Sequence, residues 1–265
     1  MALPARTDRR LAAVAWRDLV PLRPFERLWE CTLSLPWLAG SWWCFQHGWW
    51  WLGLPCSFMF FLTGLRQSHN AQHACLGIGR AGHHAMLTTL SVLMLASAHA
   101  VRTTHMHHHR RCLREDDVEA GHTGWPWWRA LLLGPVFPVR LHQQAWRIGT
   151  AGDRAWVVTE VVLIAGVISA AATLPILWLR WHVGAMLAGE CLTGFFAVWI
   201  VHHDCHHDGQ IARTQRGWFS NFMTYSMLYH LEHHLFPAVP TCHLRTLAGR
   251  LDAAAPEFRR MQVIP

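Results

Sequence analysis

The chain has 265 residues, room for one large domain or two small ones, and it is 52% hydrophobic against 15% charged. That is too apolar for an ordinary soluble protein and points to a bilayer. The formal charge is +7, but all 23 cationic residues are arginines set beside apolar runs, not gathered in one basic stripe, which argues against nucleic acid as a partner.

The 17 tryptophans against 2 tyrosines fit the same reading, because Trp favours the lipid–water boundary. None of the eight cysteines forms a CxxC pair, which excludes a zinc ribbon or redox dithiol. They read as small apolar filler in a reducing compartment. The basic N-terminal stretch lacks the apolar run of a signal peptide, so no cleaved secretory signal is expected.

A helix needs about 20 apolar residues to cross a bilayer. The first candidate, 29–46, carries Pro36 and several tryptophans. The second, 49–65, is uncharged and is joined to the first by a short turn at His47 and Gly48. HNAQH follows at 69–73. The run 85–101 is ambiguous between crossing the bilayer and dipping in and returning. HMHHH stands at 105–109, and RRCLREDDVE follows it directly at 110–119. The stretch 125–141 has Trp and Arg at its edges and predicts a boundary helix. Two further apolar runs, 156–179 with Glu160 near its start and 183–201 with Glu190, predict a second hairpin joined around Arg180 and His182.

Arginine placement sets the sidedness. With four crossing runs and 85–101 interfacial or re-entrant, 22 of 23 arginines share one side and only Arg180 lies opposite. The positive-inside rule makes the rich side cytoplasmic. The expectation is one all-α integral membrane domain over 1–265. It has four transmembrane helices in two hairpins, interfacial or re-entrant helices at 85–101 and 125–141, and a cytoplasmic His-rich cap. It would be a multi-pass protein of the inner (cytoplasmic) membrane.

Three histidine clusters end on that side. His69 and His73 are spaced i, i+4. His105, His108 and His109 are spaced i, i+3, i+4, as are His230, His233 and His234, so each cluster shares a helix face. His107 is off its cluster's face. Imidazole is the commonest metal ligand, and eight are too many for one ion, so two metals are expected. Ligand type alone leaves Zn, Cu, Fe and Ni open. A fourth segment, VHHDCHHDG at 201–209, offers His202 with His206, or His203 with His207. His202, closer to the apolar run, is the first choice and His206 the second. The isolated His47, His99, His142 and His182 read as surface or core residues.

HNAQH, HMHHH and HLEHH resemble the three histidine boxes of the integral-membrane fatty acid desaturase superfamily. The likeness covers about 49–250. It includes the tail ARTQRGWFSNFMTYSMLYHLEHHLFPAVPTCHLRTLAGRLD at 212–252. The resemblance implies two iron ions, O2 as oxidant and an acyl or other lipid substrate. It implies His69, His73, His105, His108, His109, His230, His233 and His234 as iron ligands, joined by His202 or His206. The sequence departs at Val198, one turn before His202, where acyl-CoA desaturases have an Asn that holds a water on iron. Asn221 is the candidate to assist from the tail.

The acids Asp116, Asp117, Glu119, Asp204, Asp208 and Glu232 are candidates to orient ligands, with solvated loops as the bland reading. The DDVE cluster is alternatively a docking point for a basic electron carrier. Glu190 lies about 18 Å deeper than His202 along a helix, too far to ligate, and reads as a neutral, hydrogen-bonded group. Glu160 is expected to snorkel to the surface. No electron-transfer motif is fused to the chain, so the expected donor is a separate ferredoxin-type protein with its reductase. The expected reaction is desaturation of a lipid acyl chain. The same site could instead make a hydroxylase or ketolase acting on a lipid or carotenoid. A membrane metal-binding or transport protein is the alternative of a different class, and it requires ligands strung along a path through the spans.

Overall fold

The computed structural model describes residues 9–205 and 210–263. Every named element among them is helical. The chain opens with α1 (Pro24–Thr32) and α2 (Leu35–Gln46), followed by the long α3 (Trp50–Gln72). The expected helix 29–46 is therefore two helices, interrupted at 33–34. Pro36 sits just inside α2, where its missing N–H costs nothing. At 12 residues α2 is about 18 Å long, short of the roughly 30 Å of a bilayer core. It packs antiparallel on α3 through a turn at Gly48, whose φ of +74° suits glycine. Gly53 lets the Phe45 ring lie on the α3 backbone, since a Cβ there would come within 2.4 Å of it.

The run 85–101 is likewise broken. α4 (Gly79–Met94) and α5 (Ala98–Arg111) meet at 113°. Leu95 turns the corner in the left-handed region at φ +63°, and Ser97 caps α5 by accepting from the Ala100 N–H. α4 thus departs from the region of His73 and α5 returns to it. The expected boundary helix 125–141 is also two pieces, α6 (Trp127–Leu132) and α7 (Val136–Ile148). Gly134 at the break touches the next hairpin so closely that a Cβ would lie 1.9 Å from the Cys191 carbonyl oxygen.

α8 (Ala151–Thr173) starts with a capping box, in which Thr150 and Asp153 satisfy each other's backbone N–H groups. α9 (Leu177–Thr193) passes through a wide π turn, Gly194–Trp199, into α10 (Ile200–His202). The turn between α8 and α9 lies at 174–176, not at Arg180 and His182, which sit inside α9. Pro175 explains the shift, because it pushes Leu174 into extended backbone at ψ 144°. By length and composition α8 and the continuous helix Leu177–His202 can cross a membrane, and the bent α4–α5 pair is a third candidate.

The remainder forms a cap of short helices: α11 (Trp218–Met223), α12 (His230–Leu235) and α13 (Leu244–Ala254). Leu231, Leu247 and Leu251 are fully buried there, with Tyr229 and Phe236 around them. Burying each leucine stabilises the cap by about 1.5–3 kcal/mol. A second core of Leu38, Phe60, Phe61, Leu90 and Met186 joins the long helices.

Candidate metal centre

Helical geometry sorts the histidines into two cages. Residues spaced i, i+4 share a face, while neighbours diverge by about 100°. His105 and His109 therefore point together, and His108 points elsewhere. The same holds for His230 and His234 against His233. In the first cage the Nε2 atoms of His73, His105, His109 and His233 follow one another at 3.0, 3.1 and 3.0 Å. His69 joins them, its ring 4.0 Å from that of His233. In the second, His108 lies 3.2 Å from His202 and 3.3 Å from His234, and His230 lies 2.9 Å from His202 and 3.1 Å from His234. α5 and α12 each serve both cages.

The donor set fits metal ions. The His108 Nδ1–H donates to Asp117 at 2.7 Å, and the His202 Nδ1–H to the Ile211 carbonyl at 2.8 Å. A neutral imidazole has one N–H, so both Nε2 atoms present lone pairs to each other. Lone pairs 3.2 Å apart repel unless a cation lies between them. His69 Nε2 is buried without any hydrogen-bond partner. Two nitrogens bound at about 2.1 Å and at right angles sit about 3.0 Å apart, the spacing seen here. Burial holds His73, His230, His233 and His234 well below the ordinary imidazole pKa, which keeps them in the neutral, ligating form.

The acids divide sharply. Asp117 and Glu119 turn inward from the loop after α5 and are 3% and 5% exposed. Glu119 takes the His105 Nδ1–H at 3.0 Å. These two orient ligands, and being buried they are not a surface for a basic carrier. Asp116 stays outside, on Arg111 at 3.1 Å and His107 at 3.3 Å. Glu232 faces away from the cages to Thr214 at 2.7 Å and to Arg216. Asp204 is exposed near Arg213. Asn221 donates to the carbonyls of Gln215 and Gly217, so its amide braces a turn instead of reaching the cages. His206 and Asp208 lie outside the described residues. His203 is turned toward the Trp199 and Ile200 carbonyls.

Two buried knots hold the cages, and both involve residues the motifs passed over. Glu30, fully buried, accepts from the Arg66 guanidinium and from Asn70 Nδ2 at 2.8 Å, flanking His69. Asn70 Oδ1 in turn accepts from the Thr241 hydroxyl at 2.8 Å, tying α3 to the cap. Glu160 does not snorkel. It is fully buried and accepts from Ser97 Oγ and His99 Nδ1, both at 2.5 Å, and from the His99 N–H at 3.2 Å. It thereby fixes the start of α5, the helix that carries the second box. Cys112 was also missed. Its sulfur is 3.9 Å from His108 Nε2, and its i+4 spacing from His108 is the signal that could have found it.

A cavity of about 140 Å³ opens beneath both cages. Leu65, Met94, Val101, Leu141, Phe196 and Val198 wall it, and His69, His105, His202, His230 and His233 form its head. Glu190 lies along it, accepting from Thr193 Oγ1 at 3.4 Å.

The family profile named Fatty acid desaturase matches residues 48–263 of the chain. A beta-carotene ketolase from Paracoccus sp. (strain N81106 / MBIC 01143) is 27% identical over 197 residues, covering 71% of this chain and 74% of the ketolase.

Proposed function

The chain belongs to the fatty acid desaturase family, and on that footing we propose that it is an O2-dependent di-iron oxidase that desaturates a lipid chain in the membrane. The observation that carries this reading is the pair of imidazole cages at the head of an apolar cavity. Two iron ions held there would supply the O2-dependent oxidation of an unactivated C–H bond, chemistry that side chains lack. His69, His73, His105, His109 and His233 would hold one ion, and His108, His202, His230 and His234 the other.

The protein's own part is placement. Asp117 and Glu119 fix the tautomers and ring planes of His108 and His105. The apolar walls align an extended chain so that one carbon lies under the cages, and they exclude water from it. The arginine bias supports placing the cages at the cytoplasmic face of the inner membrane. There a ferredoxin-type donor with its reductase supplies electrons. A metal carrier is the poorer reading, because the ligands converge at one place and not along a path.

A second reading, hydroxylation or ketone formation on a lipid or carotenoid, is supported by the relative named as a beta-carotene ketolase. Expression in a host with a simple lipidome, with and without added carotenoid, separates the outcomes by mass spectrometry. Desaturation removes two hydrogens from a lipid. Hydroxylation adds an oxygen, and ketone formation adds an oxygen with loss of two hydrogens. An unchanged lipidome in cells holding iron-loaded protein would count against both readings.

A further inference from the structure

The six-residue helix α11, WFSNFM, leaves its large apolar side chains bare: Trp218 is 73% exposed, Phe219 60%, Phe222 70% and Met223 45%. A soluble cap would not carry such a cluster unless something apolar covered it. The cluster continues the belt of the long helices. Just after α11, the Tyr225 hydroxyl accepts from Trp37 Nε1 of α2 at 3.0 Å, and α2 itself exposes Trp43. The same connector reaches the active cavity, which Thr224, Met227 and Leu228 line. Between them Tyr225 and Ser226 both take positive φ, +51° and +65°, a conformation side chains adopt only when their surroundings impose it. The imposing contacts are the Arg66 guanidinium on the Tyr225 carbonyl and the Ser226 N–H on the Asn221 carbonyl at 2.7 Å.

Three of the arginines around this segment are engaged inside the chain. Arg213 donates to the His203 and Gln262 carbonyls at 2.6 and 2.9 Å. Arg216 grips Asp252 at 2.7 Å together with Glu232, and Arg66 grips Glu30. None of the three is left to receive a phosphate head group.

We infer that α11 lies in the lipid leaflet beside α2, and that the substrate enters past it from the bilayer as a membrane-dissolved lipid and not from water as a phosphate-bearing thioester. The entry half rests on the oxidase reading; the docking half does not. Trp218 and the Phe residues anchor the helix among the acyl chains, and the connector 224–228 carries the arriving chain onto the cavity wall. The arrangement needs no basic groove.

Photolabelling tests this without turnover. The full chain is reconstituted in phospholipid nanodiscs that contain a phosphatidylcholine with a diazirine on its acyl chain, then irradiated and mapped by peptide mass spectrometry. Label is expected on 218–223, on the cavity segment 224–228 and on α8. Label on α8 with none on 218–223 overturns the docking. Phe222→Glu is expected to lower label at both 218–223 and 224–228 about tenfold with α8 unchanged, because a charge resists the leaflet. Phe222→Leu should label like the parent. A diazirine stearoyl-CoA added to the aqueous phase should label 224–228 weakly. Labelling by it that exceeds the bilayer probe and ignores Phe222→Glu overturns lateral entry. These results require neither iron nor oxidation, so their failure is distinct from failure of the oxidase reading.

Discussion

His108 and His202 meet Nε2 to Nε2 at 3.2 Å although 94 positions separate them in the chain, and both spend their only N–H on other acceptors. A proton or a metal ion between the two rings relieves the contact, and the further imidazoles of the cage favour the metal. His202→Ala should empty the second cage and leave the first, cutting bound iron by about half. His203→Ala, one position along, should leave iron unchanged. Metal analysis of the purified variants checks both, with circular dichroism to show intact helices.

Asp117 acts on the metal through His108. Asp117→Asn should weaken metal binding by about 10- to 100-fold, read by competition with a chelator. Asp116→Asn, on the exposed side of the same loop, should change nothing measurable. Equal effects of the two substitutions would contradict the division of the acids described above.

The Glu30–Arg66 knot predicts a stability effect. Removing one partner leaves a buried charge, so Glu30→Gln or Arg66→Ala should each destabilise by about 3–5 kcal/mol in a denaturant titration of detergent-solubilised protein. The double replacement Glu30→Met with Arg66→Met should cost less than the sum of the single changes, because no uncompensated charge remains.

Glu160 predicts an effect at a distance. Glu160→Gln keeps an acceptor for Ser97 and the His99 N–H and should retain most metal. Glu160→Leu strands three buried donors, each at about 1–3 kcal/mol, and should loosen the start of α5. Faster hydrogen exchange across the first turn of α5 in the Leu variant checks this, and unchanged protection there would contradict it.

The histidines were legible in sequence because i, i+3 and i+4 spacing is a local property of one helix. Their partition into two cages follows from the same rule once His108 and His109, or His233 and His234, are seen to diverge. What lay beyond reading was long-range or locally overridden. Glu160 looked like a snorkelling acid near a span end, but its burial depends on α5 arriving 61 positions earlier in the chain. Glu30 is ordinary until Arg66 and Asn70 fold onto it. The turn of the second hairpin was placed by charge at Arg180, whereas Pro175 decided it through backbone sterics. The hydrophobic run 85–101 hid its own corner, because no glycine or proline marks Leu95.

Iron bound per chain is the most direct test of the two-cage arrangement. Protein purified without chelators from iron-replete cells should carry about two irons, both in a nitrogen-rich shell by X-ray absorption. Saturation at a single iron, or retention of zinc alone after anaerobic loading with Fe(II), would contradict it.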